Sequence, residues 1–336
     1  MKRAVFEVTI DGTNIETALR PLLLGMTITD NAGTHSDTAS IEIDDTEGRV
    51  ILPEPKAPVV IYLGWQDEGV REVFRGTVDE VHSAGGRSGG RTLTISAKGV
   101  DTTSKAKEGQ HRHFDNKSVK DILSEAGRIA GIAEVDVDPA LASIVLPYID
   151  MRGESFIHLG ERLARAVGGS FRVTGAKVLM AKRSGDYTAS VTAAAGDNLH
   201  EWQITPKVGR GRYKGAAARA YDRKTASEIE VSALTDVDLT DADFVRREVF
   251  ADEDEAQRAA DADAATARET AGSGSVTIEG TTDAIPDGLC VLRGARPGVD
   301  GTYRIKTVTH SYSRSDGWKT ALELAEPQGT AGTDTR

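Results

Sequence analysis

Arg91-Thr92-Leu93-Thr94-Ile95-Ser96-Ala97-Lys98 alternates apolar and polar side chains after its first residue. Successive strand side chains point to opposite faces, so Leu93, Ile95 and Ala97 share one face and Thr92, Thr94, Ser96 and Lys98 the other. The same period governs Ala4, Phe6, Val8 and Ile10, then Ala39, Ile41 and Ile43, then Val59, Ile61, Leu63 and Trp65. These half-buried strands predict a curled antiparallel sheet or barrel. Just ahead of the opening run stands Ser83-Ala84-Gly85-Gly86-Arg87-Ser88-Gly89-Gly90. Its glycines lift the steric limits on the backbone and predict a long, mobile hairpin tip.

From about residue 106 the period becomes helical. Ser118 and Asp121 read as a capping box ahead of a stripe of Val119, Ile122, Leu123, Ala126 and Ile129 that stops near Gly131. Ser155 reads as the cap of a second helix, with Phe156, Leu159, Leu163 and Val167 buried and Gly168-Gly169 as its stop. Residues 171–180 then predict a hairpin turning at 174–176. Strand alternation returns from about Asn198, through Ala216, Ala218, Ala220, Ile229 and Val231, and later Val276, Ile278, Tyr303, Ile305, Leu322 and Leu324. A helix interrupts it. Asp252-Glu253-Asp254-Glu255 supplies carboxylates to its positive end and Arg268 a cation near its negative end, with Gly272 beyond. Its alanines, Ala256, Ala259, Ala260, Ala264 and Ala267, admit a close backbone neighbour.

The expected fold is therefore mainly β with an α+β insertion. The divisions are residues 1–105, a first β domain; 106–197, an inserted α/β domain; 198–327, a second β domain carrying the alanine-rich helix; and 328–336, a polar, disordered tail.

Composition narrows the function. The chain has 336 residues, with 41 Lys and Arg against 52 Asp and Glu, a formal charge of -11 that opposes broad contact with nucleic-acid phosphates. Its one cysteine, Cys290, excludes a disulfide framework and a multi-thiolate zinc site. No run approaches the length of a membrane helix, and the start lacks a signal-peptide core, so a soluble protein of a reducing compartment is expected.

Catalytic and ligand motifs are sparse. His111 and His113 are the one close histidine pair; on a strand they share a face with Asp115, a geometry open to a divalent metal, but two exposed histidines on a connector explain them as well. There is no G-x-S-x-G, and Ser155 is accounted for as a cap. Cys290, between Leu289 and Val291, reads as a buried thiol. Gly209-Arg210-Gly211-Arg212-Tyr213-Lys214-Gly215 has neither phosphate-loop spacing and reads as a basic surface loop. Carboxylates abound, and the densest group, residues 252–255, is already a helix start. The expectation is no enzyme activity, no catalytic or metal residues and no cofactor.

The order of elements resembles the late control protein D family, the baseplate hub proteins of contractile-tailed phages. Matching pieces run in register: Gly64-Trp65; Val73-Phe74-Arg75-Gly76-Thr77-Val78; Gly99-Val100-Asp101; Ser118-Val119-Lys120-Asp121-Ile122-Leu123; Glu154-Ser155-Phe156; Arg162-Leu163-Ala164; Gly168-Gly169-Ser170-Phe171; the alanine-rich helix; Gly301-Thr302-Tyr303-Arg304-Ile305; Val308-Thr309-His310; and Gly317-Trp318 leading to Leu322-Glu323-Leu324. One departure is Asp150-Met151-Arg152-Gly153, where the family usually has a glutamine before the Glu-Ser pair.

The resemblance implies two β-barrel-like domains similar to tail-tube subunits, flanking the insertion and assembled as a homotrimer of pseudo-sixfold symmetry. The implied partners are the tail tube protein, the central spike protein, other baseplate proteins and the tape measure protein, with no specific nucleic-acid binding and no membrane insertion. The implied location is the virion tail, after assembly in the host cytoplasm. An acidic or neutral lumen would let DNA pass, with Arg87, Arg91 and the loop of Arg210 and Arg212 directed elsewhere. A type VI secretion spike protein shares the hub part but continues into a long β-helix. A tail-associated peptidoglycan hydrolase needs a further catalytic segment. A carbohydrate-binding domain would need clustered aromatics, whereas Trp65, Trp202 and Trp318 are scattered and read as core or interface residues.

Overall fold

The alternating runs of the first unit are strands that bury the face their period assigns, with Ala4 half-buried, whereas in the later runs Ile229 and Val231 are only half-buried and Ala217 is buried beside Ala216 and Ala218. The structure, a computed structural model, describes residues 2–32, 36–87, 90–99, 105–174, 177–182, 190–207, 213–222, 224–235, 242–334 and 336. The first unit holds β1 (Ala4–Ile10), β2 (Thr13–Asn14), the short α1 (Glu16–Leu19), β3 (Leu23–Asn31), β4 (Thr38–Asp44), β5 (Pro58–Trp65), β6 (Gly69–Gly86) and β7 (Gly90–Lys98). Phe6, Val8, Ile41, Ile43, Ile61, Leu63, Leu93 and Ile95 form one core. β6 is long because it pairs with β5 along its first part and with β7 along the rest. This shortens the expected hairpin tip. Pairing runs out to Gly86 opposite Gly90, because the ladder uses backbone groups that glycine retains, and β4 holds the other edge of β7. Ser88 and Gly89 lie outside the described residues.

The insertion holds β8 (Gly109–Ser118), α2 (Val119–Ile129), β9 (Glu134–Val137), α3 (Pro139–Ala142), β10 (Val145–Ser155), α4 (Phe156–Val167), β11 (Gly169–Thr174) and β12 (Lys177–Lys182). Ser118 Oγ accepts from the Asp121 amide at 3.2 Å and Ser155 Oγ from the His158 amide at 3.2 Å, so both expected caps are made. The Asp121 carboxylate takes the Ser118 hydroxyl at 2.6 Å. Of the α2 stripe, Ile129 is 38% exposed, since it falls in the fraying last turn; the other four are buried. All four stripe residues of α4 are buried, and its C-cap Gly168 takes φ +69°. The hairpin forms as β11 and β12, and β9 adds in parallel to β12. Residues 175–176 lie outside the described residues.

The last unit holds β13 (Ser190–Ala194), β14 (Leu199–Thr205), β15 (Gly215–Asp222), β16 (Ser227–Leu234), β17 (Phe244–Phe250), α5 (Glu253–Glu269), β18 (Ser273–Glu279), β19 (Leu289–Arg293), β20 (Gly301–Ser313) and β21 (Gly317–Gln328). β13, placed by the sequence inside 106–197, runs parallel to β19 and so belongs by hydrogen bonding to this unit. β15, β16 and β17 form a separate small sheet under α5. Ala218 and Ala220 meet Ala256, Ala259 and Ala260 there, and Arg246 reaches Asp263 with two bonds of 2.8 and 2.7 Å. Asp252 caps α5 by accepting from the Glu255 amide at 2.8 Å.

The polar tail is not free along its length. Gly332 N donates to Gly298 O at 2.9 Å and Thr330 Oγ1 to Asp300 O at 3.1 Å, while Arg296 lies 3.8 Å from Asp334. Its polar groups find backbone partners in the 296–301 turn, which composition alone does not reveal.

One hydrogen-bonded sheet of thirteen strands runs through both outer units. β20 joins them. One of its edges carries β21; the other carries β19 near its start and β3 near its end, in register from Thr307 opposite Asn31 to Ser313 opposite Gly25. The path curls, so that Phe6 of β1 meets Tyr312 of β20 edge-on at 5.1 Å between ring centroids.

Candidate functional site

Two clusters, one buried and one partly buried, join the three units. The first lies at the seam of the outer units. Trp65, ending β5, donates from Nε1 to the carbonyl of Gly280 at 2.9 Å, and its ring lies 5.4 Å from that of Trp318. A Cβ at Gly280 would stand 2.1 Å from Trp318 Cδ2, so only a glycine lets this backbone pass under the indole. His310 lies 5.9 Å from Trp318, with Nδ1 3.0 Å from Thr320 Oγ1. That hydroxyl donates to Thr281 O at 3.3 Å and accepts from Thr281 N at 3.1 Å. With the hydroxyl proton committed to a carbonyl, the imidazole proton belongs on Nδ1. Burial pulls the His310 pKa down to about 4, so the ring is neutral. Trp318 Nε1 is buried with no hydrogen-bond partner among the described residues.

The second cluster joins all three units. Arg172 on β11 pairs with Asp30 at the end of β3 and with Asp37 at 3.2 Å, just before β4. Asp287 of the last unit acts electrostatically on Arg172 and itself pairs with Arg304, which lies 3.8 Å from Glu326. One guanidinium faces two carboxylates of the first unit. Desolvation, with the like charge of Asp37, raises the Asp30 pKa to about 7 against the pull of Arg172. Sequence reading missed this cluster, because its members lie on strands far apart in the chain and none sits in a motif. Within the insertion, Arg162 holds Glu154 through bonds of 3.0 and 2.6 Å and also donates to Asp150 O at 2.7 Å.

The residues weighed from sequence are dispersed. His113 and Asp115 project from β8, both mostly exposed and 3.7 Å apart, and His113 stacks on Tyr148. Ser155 is the α4 cap. Cys290 is buried, its thiol pushed up to about 12 by desolvation. The loop of Arg210 and Arg212 lies outside the described residues. Trp65 and Trp318 meet in the seam, whereas Trp202 stands 43% exposed on β14, at the end of the strand path. Among the described residues no group of three or more His, Cys, Asp or Glu is placed to hold a metal ion, and no helix is long and apolar enough to cross a membrane.

A seam and an ion-pair cluster thus join the three units of this part. Comparison with known proteins gives that part a family: the phage tail baseplate hub (GPD) pattern matches residues 40–316. The chain belongs to the phage tail baseplate hub family. The probable baseplate hub protein of Escherichia phage 186 is 25% identical over an alignment covering 95% of this chain and 92% of that one. The probable baseplate hub protein of Escherichia phage P2 is 32% identical over 223 residues, 62% of this chain and 54% of that one, so the match spans about half of the P2 protein's length. Among solved structures, the tail protein from Neisseria meningitidis MC58 has a TM-score of 0.70 at 17% identity, covering 99% of each chain. An Escherichia coli type VI secretion component has a TM-score of 0.57 at 12% identity, covering 98% of this chain and 79% of that one. At these identities the likeness is one of fold. The stretch matched by the hub-family pattern contains Trp65, Arg172, Gly280, Asp287 and Arg304, whereas Asp30 and Asp37 precede it.

Proposed function

We propose that this hub-family chain forms a trimeric ring of pseudo-sixfold symmetry in a contractile tail baseplate, joining a hexameric tail tube to a trimeric spike. In this reading residues 1–105 and 198–327 are two tube-like β-barrel domains, with β13 attached to the second, and 106–197 is the insertion on the flank. The observation that carries it is the β3–β20 ladder, which makes the two outer units parts of one sheet. Two similar units held side by side in each of three copies supply six positions around an axis, which is what a sixfold tube and a threefold spike jointly require.

The partners in this reading are the tube protein, the spike protein, other baseplate proteins and the tape measure protein, in the virion tail after assembly in the host cytoplasm. The chain acts as a scaffold and not as an enzyme, and DNA passes through the ring without being gripped. An excess of acid over base supports an acidic or neutral lumen, because even a few Lys or Arg phosphate contacts would hold a moving polyanion. Arg87, exposed just after β6, and Arg91, beside Gly48, are then directed away from the axis. A particle map resolving the tail end tests the reading by copy number. Three copies are expected; one or six overturn it, and a lumen lined by a continuous basic stripe overturns the passage of DNA.

A further inference from the structure

A cleft of about 530 Å³ opens where β1, the turn after α1 and the β20–β21 hairpin meet, lined among others by Arg3, Phe6, Arg20, Pro21, Tyr312 and Arg314. Its wall includes the half-buried Tyr312, seated edge-on against the buried Phe6, whose ring lies 5.4 Å from the Arg20 guanidinium. Its rim is cationic, in a chain whose acids outnumber its bases. Arg314 is held by a 2.7 Å bond from Nη2 to the carbonyl of Arg20. The nearby carboxylates are already engaged. Glu16 pairs with Arg20, and Asp316 with Lys319 at 3.4 Å and with the hydroxyls of Ser313 and Ser315. Among the described residues no carboxylate pairs with Arg3 or Arg314, both of which are exposed.

We propose that this cleft is a binding site for the C-terminal end of an acidic partner polypeptide. The terminal carboxylate is taken by the Arg3 and Arg314 guanidinium groups, and an apolar last side chain lies on Tyr312 and Pro21. Pockets of about 300–1,000 Å³ that combine an apolar lining with a few fixed polar groups suit a short chain segment. Arginine matches a carboxylate with two parallel bonds, and its attraction acts within roughly 8 Å at physiological salt. A peptide end with an apolar last residue uses both the cationic rim and the apolar wall, whereas a free phosphate would use the rim alone.

The test uses the full chain and an N-terminally labelled hexapeptide of glycine, serine, three glutamates and a final leucine, followed by fluorescence anisotropy. Saturable binding is expected. Arg3→Gln and Arg314→Gln should each weaken it about tenfold, the loss that follows from one charge-assisted hydrogen bond. Amidating the peptide terminus should weaken it comparably, and Arg152→Gln, a distant exposed control on the insertion, should change nothing. Thermal midpoints verify the fold; should Arg314→Gln unfold, Arg3→Gln carries the test. Absence of saturable binding, or indifference to both substitutions, overturns the proposal. So does displacement of the peptide by inorganic phosphate or a single-stranded oligonucleotide at lower concentration than unlabelled peptide, which would make this a general anion site.

Discussion

Trp65 and Gly280 are separated by most of the chain and joined by a 2.9 Å hydrogen bond, with the Trp318 ring laid against the same glycine. The pair fixes the distance between the outer units from the inside. Gly280→Ala should therefore destabilise the protein by about 1–3 kcal/mol through overpacking, because Trp318 is walled in by Trp65 and His310 and has nowhere to move. Denaturant titration measures it, and an unchanged midpoint would show that the indole gives way freely.

Two groups near the junctions make stability depend on pH in opposite senses. The His310 pKa in the folded state, about 4, is below its ordinary value of 6.5. The folded protein thus binds fewer protons than the unfolded chain, and stability present above pH 6.5 is lost as pH falls toward 4. His310→Asn should remove up to about 3 kcal/mol of that loss. Comparing midpoints at pH 7.5 and 4.5 for both proteins checks this, and parallel curves would contradict it.

Asp30 works the other way. Its folded pKa of about 7 lies above the ordinary 3.8, so its contribution is complete below pH 3.8 and disappears as pH rises through 7. Asp30→Asn should gain stability relative to the parent as pH rises from 5 to 8. A difference that stays constant over that range would mean that Asp30 is ionised throughout.

Leu163, in the middle of the α4 stripe and fully buried, should cost about 2–5 kcal/mol on truncation to Ala, and Leu123 of α2 should behave alike. If both variants keep their stability yet fail to assemble into particles, those stripes face a partner and not a core.

The strands of the first unit were legible because one residue in two faces the core, and Leu93, Ile95 and Ala97 follow that rule. The caps at Ser118 and Ser155 were legible because capping is local. What stayed hidden was long-range. Nothing in Thr307 to Ser313 announces pairing with Gly25 to Asn31, and nothing in residues 190–194 announces a parallel neighbour a hundred residues on. The same limit hid Arg172: a charged residue on a short strand looks solvated until the fold brings Asp30 and Asp37 to it. The arginine cleft escaped for a related reason, since Arg3, Arg20 and Arg314 come from the two ends of the chain.

The antiparallel ladder between β3 and β20 also has a mechanical consequence. A load that draws the outer units apart along the strand direction meets seven residue pairs in shear, so their hydrogen bonds must give way together. Peeling from one end would break them in turn. Resistance to such a pull is set by the barrier to unfolding and not by equilibrium stability alone. Under the contractile-tail function proposed above, the first arrangement serves the ring better, and the weakest point under axial load moves outward to the contacts with neighbouring proteins.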